Sequence, residues 1–486
     1  MTPRGSAEAV DTAGREDATV HRTDRGGGEN DLPRPNLVWF RDDLRIADNP
    51  ALAAALADRG TVAALYVLDD ESPGIRPIGG AARWWLHHSL ERLAADLDER
   101  NVPLIIRRGP ARSVVREVVD ALHPAAVHWN RRYGGPERAV DAAVTADLTG
   151  AGIAVESKAA SLLFEPGTIH TGAGGAYSVF TPFWKACLTA PPPRLPGSAP
   201  RVASRRTGTC ASLELDDLGL LPSRPDWAGG LRAEWTPGEA SAHRALRSFL
   251  SAELDDYPTG REIPSQRATS RLSPHLRWGE ISPHQVWHAA RRARSAGGAH
   301  GPAVDHFLRE IGWREFAWHS LYHFPEMASR NWRPAFDSFP WPSAPDELLR
   351  AWQRGRTGYP LVDAGMRELW RTGWMHNRVR MVTASFLTKN LLVDWRIGEA
   401  WFWDTLVDAD AAANPFNWQW VAGSGADAAP YFRVFNPEAQ SKKFDADAEY
   451  ARANIDEWGT PAYPRPIVDL AASRGEALAA YRSMRP

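Results

Sequence analysis

Four stretches carry residues whose types and spacing could do chemistry. In "YPTGREIPSQRATSRLSPHLRWGEIS" (257–282), Thr269, Ser270 and Ser273 surround Arg271, and Pro274 opens a helical pattern. Hydroxyls and free backbone N–H groups at a helix start suit an anion, with arginine adding charge-assisted bonds. The same residues would also make a plain N-cap. In "LREIGWREFAWHSLYHFP" (308–325), Glu310, Trp313 and Arg314 fall three and four residues apart, on one helical face. A carboxylate beside an indole is either a packing edge or a hydrogen-bonding floor with a stacking wall for a flat ligand.

The third stretch, "RTGWMHNRVRMVTASFLTKNLLVDWR" (371–396), sets Arg371, Arg378, Arg380, Lys389 and Arg396 against one acid, Asp394. Asn377, Met381 and Ser385 share a helical stripe with Arg378 beside it. Such a face suits phosphates and an extruded base, or is simply a solvated surface. The fourth, "LVDADAAANPFNWQW" (406–420), presents Asp408 and Asp410 two apart. No His or Cys cluster accompanies them, so no metal is expected, and Arg380 is a candidate partner for a carboxylate. The final "ANPFNWQW" places two tryptophans, two asparagines and a proline at what reads as a turn between a helix and an irregular loop.

These groups need a scaffold of two parts. Apolar strand candidates at "NLVWF" (36–40), "TVAALYVL" (61–68), "VPLII" (102–106), "AAVHW" (125–129) and "GIAVES" (152–157) alternate with helical stretches near 49–58, 80–100, 111–122 and 136–149. That spacing predicts a doubly wound parallel α/β sheet, Rossmann-like, over 35–165. Its strand ends lack G-x-G-x-x-G, and "GAGG" at 172–175 reads as a turn. Residues 1–34 read as a disordered tail, 166–238 as an interdomain linker with "APPPRLPGSAP" least structured, 239–470 as a large all-helical domain, and 471–486 as a fraying tail.

Composition narrows the class. The 486 residues are too many for one ordinary core, and 43% hydrophobic with 24% charged residues is a globular profile. Two cysteines, Cys187 and Cys210, exclude a disulfide framework and suit a reducing cytoplasm. No apolar run suggests a membrane span or signal peptide. The formal charge of −2 requires any nucleic-acid binding to come from a local patch. The 22 Trp outnumber both the 16 Phe and the 10 Tyr. Most belong in a core, leaving a minority for stacking or electron transfer.

With these segments in hand the chain, from about 36 to 458, resembles the photolyase/cryptochrome family. The motifs are "WFRDDLRIADNPAL" near the amino end, and "TGYPLVDAGMRELWRTGWMHNRVRMVTASFLTKNLLVDWR" and "DAAPYFRVFNPEAQSKKFD" towards the carboxyl end. It is most similar to cyclobutane pyrimidine dimer (class I) DNA photolyases. The resemblance implies a helical domain that holds FAD, active as FADH⁻, and a monomer that binds dimer-containing DNA without sequence preference. Tyr257 with Thr269, Ser270, Arg271, Leu272 and Ser273 then matches flavin phosphate and ribityl contacts. Arg314, Asn377, Arg380, Asp408, Ala409, Asp410, Asn414 and Asn417 match others around the flavin, with Arg380 and Asp408 as an ion pair.

On the same resemblance, Glu310 matches the acid that hydrogen-bonds the dimer, Trp313 and Trp420 its aromatic walls, and Arg261 and Arg378 its DNA contacts. Asn377 would also reach the substrate. Met381 stands where enzymes acting on (6-4) photoproducts use a His, which favours the cyclobutane dimer. Asn414 stands where plant cryptochromes tend to have Asp and animal ones Cys, which favours light-driven repair over signalling. Trp418, Trp395 and Trp341 match an electron-hopping chain. The alternative is a cryptochrome-type flavin blue-light receptor without repair activity.

The chain departs from the family pattern A-A-N-N-G-G-W-Q-W, with Pro415 in place of an Asn and Phe416 and Asn417 in place of glycines. Any φ > 0 that those glycines permit would be harder to reach. A second antenna chromophore, deazaflavin or folate, is expected with less support. Gly134 stands where folate-binding relatives have Glu, Ala328 and Ser329 where Cys-Lys is expected, and no acid neighbours Arg132 in sequence.

Overall fold

The computed structural model describes residues 34–57, 61–200, 210–295, 301–342, 345–428 and 432–484. The tail expected over 1–34 lies, except for its last residue, outside them. Five strands, β1 (Asn36–Phe40), β2 (Val62–Leu68), β3 (Leu104–Arg108), β4 (Ala126–Asn130) and β5 (Ala154–Lys158), pair in parallel in the order β3-β2-β1-β4-β5. Between them run α1 (Pro50–Ala57), α2 (Gly80–Asp98), α3 (Ala111–Leu122) and α4 (Gly135–Gly150). β2 is buried along its whole length because helices cover both faces, so its sequence is a continuous apolar run. The edge strand β5, "AVESK", is largely open and carries charge, which discourages further pairing.

Strand order reverses between β1 and β4, so the chain leaves Phe40 and Asn130 in opposite directions and opens a crevice there. Its floor is a polar network: Asn130 Nδ2 donates to Asp43 Oδ2 (2.6 Å) and Asn49 Oδ1 (2.8 Å), and Arg41 donates to the Asn130 carbonyl. A first cavity of ≈ 450 Å³ lies in front, bounded by Arg41, Asp42, Arg132 and, from the helical body, Arg277, Arg314 and Trp403. The acid missing beside Arg132 in sequence is supplied by the fold, since Asp141 of α4 lies 3.1 Å from it.

The segment 166–238 is not all loop. Phe180–Thr189 is a helix because Phe180, Phe183, Trp184 and Cys187 recur at helical spacing and are buried together. Residues 190–200 lack regular structure but are pinned: Arg194 pairs with Asp48, and Gly197 N–H donates to Asp48 Oδ1 (2.7 Å). From 239 the described chain is helical, and the fully buried Glu280 fastens it to α2 by accepting from Trp85 Nε1 (3.0 Å) and Ser89 Oγ (2.5 Å).

The basic stretch 371–396 breaks into Pro360–Thr372, Asn377–Ser385 and a π turn at Phe386–Asn390, before Trp395–Thr405 begins. The expected carboxyl-terminal fraying is corrected: Leu470–Ser483 is a helix. Its buried face is narrow and small, Ser473 and Ala477, so it lies close against the π turn, where Asn390 Nδ2 donates to Ser473 Oγ (2.9 Å). One turn on, Tyr481 stacks on Phe432 at 4.4 Å. No helix among the described residues is long and apolar enough to cross a membrane.

Candidate functional site

A second cavity, of ≈ 480 Å³, opens within the helical body. The helix Gly301–His323 supplies Glu310, Trp313, Arg314 and Ala317, at the i, i+3, i+4, i+7 spacing of one face. Trp313 is held flat by Phe180, whose ring stacks behind it at 3.7 Å and 10°. The helix Asn377–Ser385 supplies Asn377, Arg378, Arg380, Met381 and Ala384, and its start is fixed by His376, whose Nδ1 accepts from Arg378 N–H (3.2 Å). Ser385 turns away from the cavity and accepts from Phe435 N–H (3.0 Å).

The two aspartates have separate duties. Asp408 lines this cavity and takes a two-pronged bond from Arg380, at 3.1 and 2.8 Å, while Arg380 Nε donates to the Met375 carbonyl (2.7 Å). A carboxylate that is only 2% exposed is costly to leave without such a partner. Asp410 lines the first cavity and accepts from Ala412 N–H (2.9 Å) and Ala413 N–H (2.5 Å), anchoring the next helix start. Burial raises its pKa, opposed by Arg314 and those N–H groups. Among the described residues no group of three or more His, Cys, Asp or Glu could hold a metal ion.

That next helix, Ala413–Ala422, corrects the reading of "ANPFNWQW" as a turn. Pro415 is its third residue, where an N–H has no intrahelical acceptor, and the first helical bond is Phe416 N–H to the Ala412 carbonyl (3.1 Å). No residue from 413 to 422 has φ > 0, so Phe416 and Asn417 meet no backbone strain. Phe416 is buried against Phe316 (5.5 Å) and Trp313 (6.4 Å) and forms part of the cavity wall. Asn414, Asn417, Trp418 and Trp420 also line it, with Asn417 Nδ2 folded back onto the Ala413 carbonyl (2.7 Å).

At the rim, Arg261 pairs with Glu310 and lies 3.1 Å from His306 Nε2, while Arg378 pairs with Glu262. The basic run is otherwise not a phosphate stripe. Arg371 donates to Asn454 Oδ1 (2.7 Å), Arg396 pairs with Asp394 (3.0 Å), and Lys389 is fully buried. Lys389 Nζ donates to the Ala422 carbonyl (2.5 Å) over the Phe432 ring, and burial pushes its pKa well down.

The 257–273 residues divide. Ser273 and Arg261 line the cavity; Tyr257, Thr269, Ser270, Arg271 and Leu272 do not. Tyr257 is buried among Phe249 (5.4 Å) and Phe307 (5.6 Å). Arg271, at φ 50°, lies between Trp235 (4.3 Å) and Trp374 (4.8 Å) and pairs with Glu234. Of the three tryptophans expected to pass electrons, Trp418 lines the cavity and touches Phe402 (4.9 Å) and Trp352 (6.3 Å). Trp395 is fully buried, its Nε1 donating to Asn331 Oδ1 (3.0 Å), and Trp341 is half-buried against Phe339 (4.3 Å).

The residues fit a large polar ligand with negative charge. Arg314 lines both cavities, and Asp408 with Ala409 faces one while Asp410 with Ala411 faces the other, so the two cavities approach each other at these residues. The Nε group of Arg314 is buried without a hydrogen-bond partner. Buried donors of this kind are rarely left unmatched and are suited to anionic oxygens.

Sequence reasoning missed Phe180, Glu262, Glu399 and Phe416. Glu399 carried a signal, because it interrupts the buried stripe of Trp395, Phe402 and Trp403 with an acid. Glu262 and Phe180 are brought in by loop geometry and by a helix in the supposed linker.

Comparisons with known proteins accord with this geometry. Residues 36–200 match the family model for DNA photolyase, and residues 307–461 that for the FAD binding domain of DNA photolyase. The chain is 44% identical over 476 residues to a deoxyribodipyrimidine photo-lyase of Agrobacterium fabrum, covering 93% of this chain and 98% of that protein. It is 37% identical over 426 residues to cryptochrome-1 of Arabidopsis thaliana, covering 86% of this chain and 62% of that one. A crystal structure of a bacterial class III photolyase from Agrobacterium tumefaciens superposes with a TM-score of 0.89 at 44% identity, over 93% and 98% of the two chains. An archaeal photolyase from Sulfolobus tokodaii, solved with two FAD molecules, gives 0.77 at 28% identity over 92% and 100%.

Proposed function

This chain belongs to the DNA photolyase and cryptochrome family, and from that membership we propose that it repairs cyclobutane pyrimidine dimers in DNA with light. The observation that carries the proposal is one cavity in which an acid, Glu310, two indoles, Trp313 and Trp420, and the thioether of Met381 share walls with Asn414 and the Arg380–Asp408 pair. Reduced FAD, when bound, supplies the photoexcited electron for ring splitting; the protein supplies placement and electrostatics.

On this reading Arg314, Asn377, Arg380, Asp408 and Asn414 hold the flavin. The flipped-out dimer stacks on Trp313 and Trp420, surfaces that accept any pyrimidine pair. Glu310 accepts the dimer's N–H groups, for which it must first let go of Arg261; Arg261 at the rim is then free for a phosphate, and Arg378 becomes so when it lets go of Glu262. Met381 carries no transferable proton, which fits a reaction without proton shuttling to the substrate. Trp418, Trp395 and Trp341 remain the proposed route by which electrons reach an oxidised flavin. The matches share the family; assignment to repair rests on Asn414, and assignment to the cyclobutane dimer on Met381.

The first cavity is where a second chromophore would sit. Gly134, Ala328 and Ser329, the positions that depart from the folate pattern, all line it. A Cβ at Gly134 would meet the Glu137 carboxylate at 2.1 Å, so a Glu at 134 has no room unless Glu137 moves. The proposal is tested by giving photoreduced protein dimer-containing DNA under blue light and counting dimers. No dimer loss by flavin-loaded protein refutes repair and favours the signalling role suggested by the cryptochrome relatives.

A further inference from the structure

Asn414 lines the cavity, yet its side chain is oriented from outside it. Its Nδ2 donates to the carbonyl of Glu399 (3.0 Å) and to Glu399 Oε1 (2.8 Å), which commits both amide hydrogens. A backbone carbonyl and a carboxylate are acceptors only. The amide therefore cannot turn over, and Oδ1 is the atom left for the cavity.

Glu399 is itself fixed from the other half of the molecule. Arg76, in the segment between β2 and α2, places NH1 2.7 Å from Oε1 and NH2 2.9 Å from Oε2. The guanidinium lies over the Trp403 ring at 4.2 Å. Two neighbouring bonds hold the seam: Trp403 Nε1 donates to the Pro77 carbonyl (2.8 Å), and Gly80 N–H donates to Asp404 Oδ1 (2.8 Å). A planar, two-pronged guanidinium accepts no proton and demands two acceptor oxygens, so it holds Glu399 as an acceptor toward Asn414 as well.

We propose that Arg76 is a positioning residue for the flavin: acting through Glu399, it presents the Asn414 carbonyl, never its NH2, to the bound ring. The inference rests on the flavin reading above. An amide oxygen matches a ring N–H, which the reduced flavin has, and opposes the bare ring nitrogen of the oxidised flavin. The relay thus favours the reduced cofactor. A simple interdomain ion pair would hold the two halves together without acting on the cofactor.

The two accounts differ in sign for Glu399→Gln. Facing Arg76, the new amide must give its only oxygen to the guanidinium, turning its NH2 toward Asn414, whose own amide then turns over, giving up its bond to the Glu399 carbonyl rather than setting two NH2 groups face to face. The midpoint potential of bound flavin should fall by about tenfold in the reduced-to-oxidised ratio, about 30 mV for two electrons. Loss of a negative charge alone would raise it instead. In the double variant Arg76→Met/Glu399→Gln the glutamine is free to offer its oxygen to Asn414 again, and the potential should return toward the parent value. A rise or no change in Glu399→Gln overturns the proposal. If the purified protein holds no flavin, the functional reading fails, but the relay is still decided by crystals at atomic resolution. A turned Asn414 amide in Glu399→Gln supports it, and an unturned one overturns it.

Discussion

Glu315 follows Arg314, the residue common to both cavities, and its charge should make stability depend on pH. Its side chain is 1% exposed. Oε2 accepts from Leu163 N–H (2.8 Å) and Phe164 N–H (3.2 Å), and Arg314 NH1 stands 3.3 Å from Oε1. Burial nevertheless pushes its pKa up from 4.5 to about 7, outweighing Arg314 and the two N–H groups. Between about pH 4.5 and 7 the folded protein then keeps a proton that the unfolded chain has released. The stabilisation is fully present below the lower value and is lost as pH rises through the upper one. At 1.36 kcal/mol per pKa unit, the interval corresponds to roughly 3 kcal/mol. Glu315→Gln removes the titration while its amide oxygen can still accept both N–H groups. Urea denaturation of parent and variant at pH 5 and pH 8 should show the parent losing roughly 2.5 kcal/mol more than the variant, because part of the effect is already lost at pH 5. Other titrating groups are common to both proteins, so parallel pH profiles would refute the reasoning.

Three further outcomes follow from the site. Phe416→Ala leaves a hole between Trp313 and Phe316 and should cost about 3–5 kcal/mol by denaturant titration, together with weaker flavin retention. A loss below about 1 kcal/mol would mean that the wall relaxes to fill it. Arg378→Ala should weaken DNA binding evenly across sequences and reduce the slope of log K against log salt by about 1, read by fluorescence anisotropy. Trp418→Phe should slow photoreduction of oxidised flavin while leaving DNA affinity unchanged; parent-like photoreduction would point to a route that does not use this indole.

The parallel sheet was legible because its inner strands are buried on both faces and so read as apolar runs, and because each crossover helix has the required length. The cavity wall on Gly301–His323 was legible for a related reason: Glu310, Trp313 and Arg314 obey helical spacing within one element. What escaped depends on contacts between distant segments. Lys389 looks like one charge in a basic run, and only the packing of the Phe386–Asn390 turn under Phe432 turns it inward. Leu470–Ser483 looks like a polar end because the face it buries consists of Ser473 and Ala477, which carry little hydrophobic signal.

"ANPFNWQW" shows how such contacts decide local form. Proline, asparagine and a preceding acid are turn residues by propensity. Here Asp410 takes the first free N–H groups, Pro415 falls where no N–H is needed, and Phe416 has a buried site waiting between Trp313 and Phe316. The same residues therefore begin a helix. Once it is helical, Asn414 and Trp418, four apart, lie on one face, and both reach the cavity. Replacing the family's glycines by Phe416 and Asn417 then changes what fills the wall behind Trp313 rather than the path of the chain. The departure is thus a packing substitution in the cavity wall, beside the hydrogen bonds that join Arg76, Glu399 and Asn414.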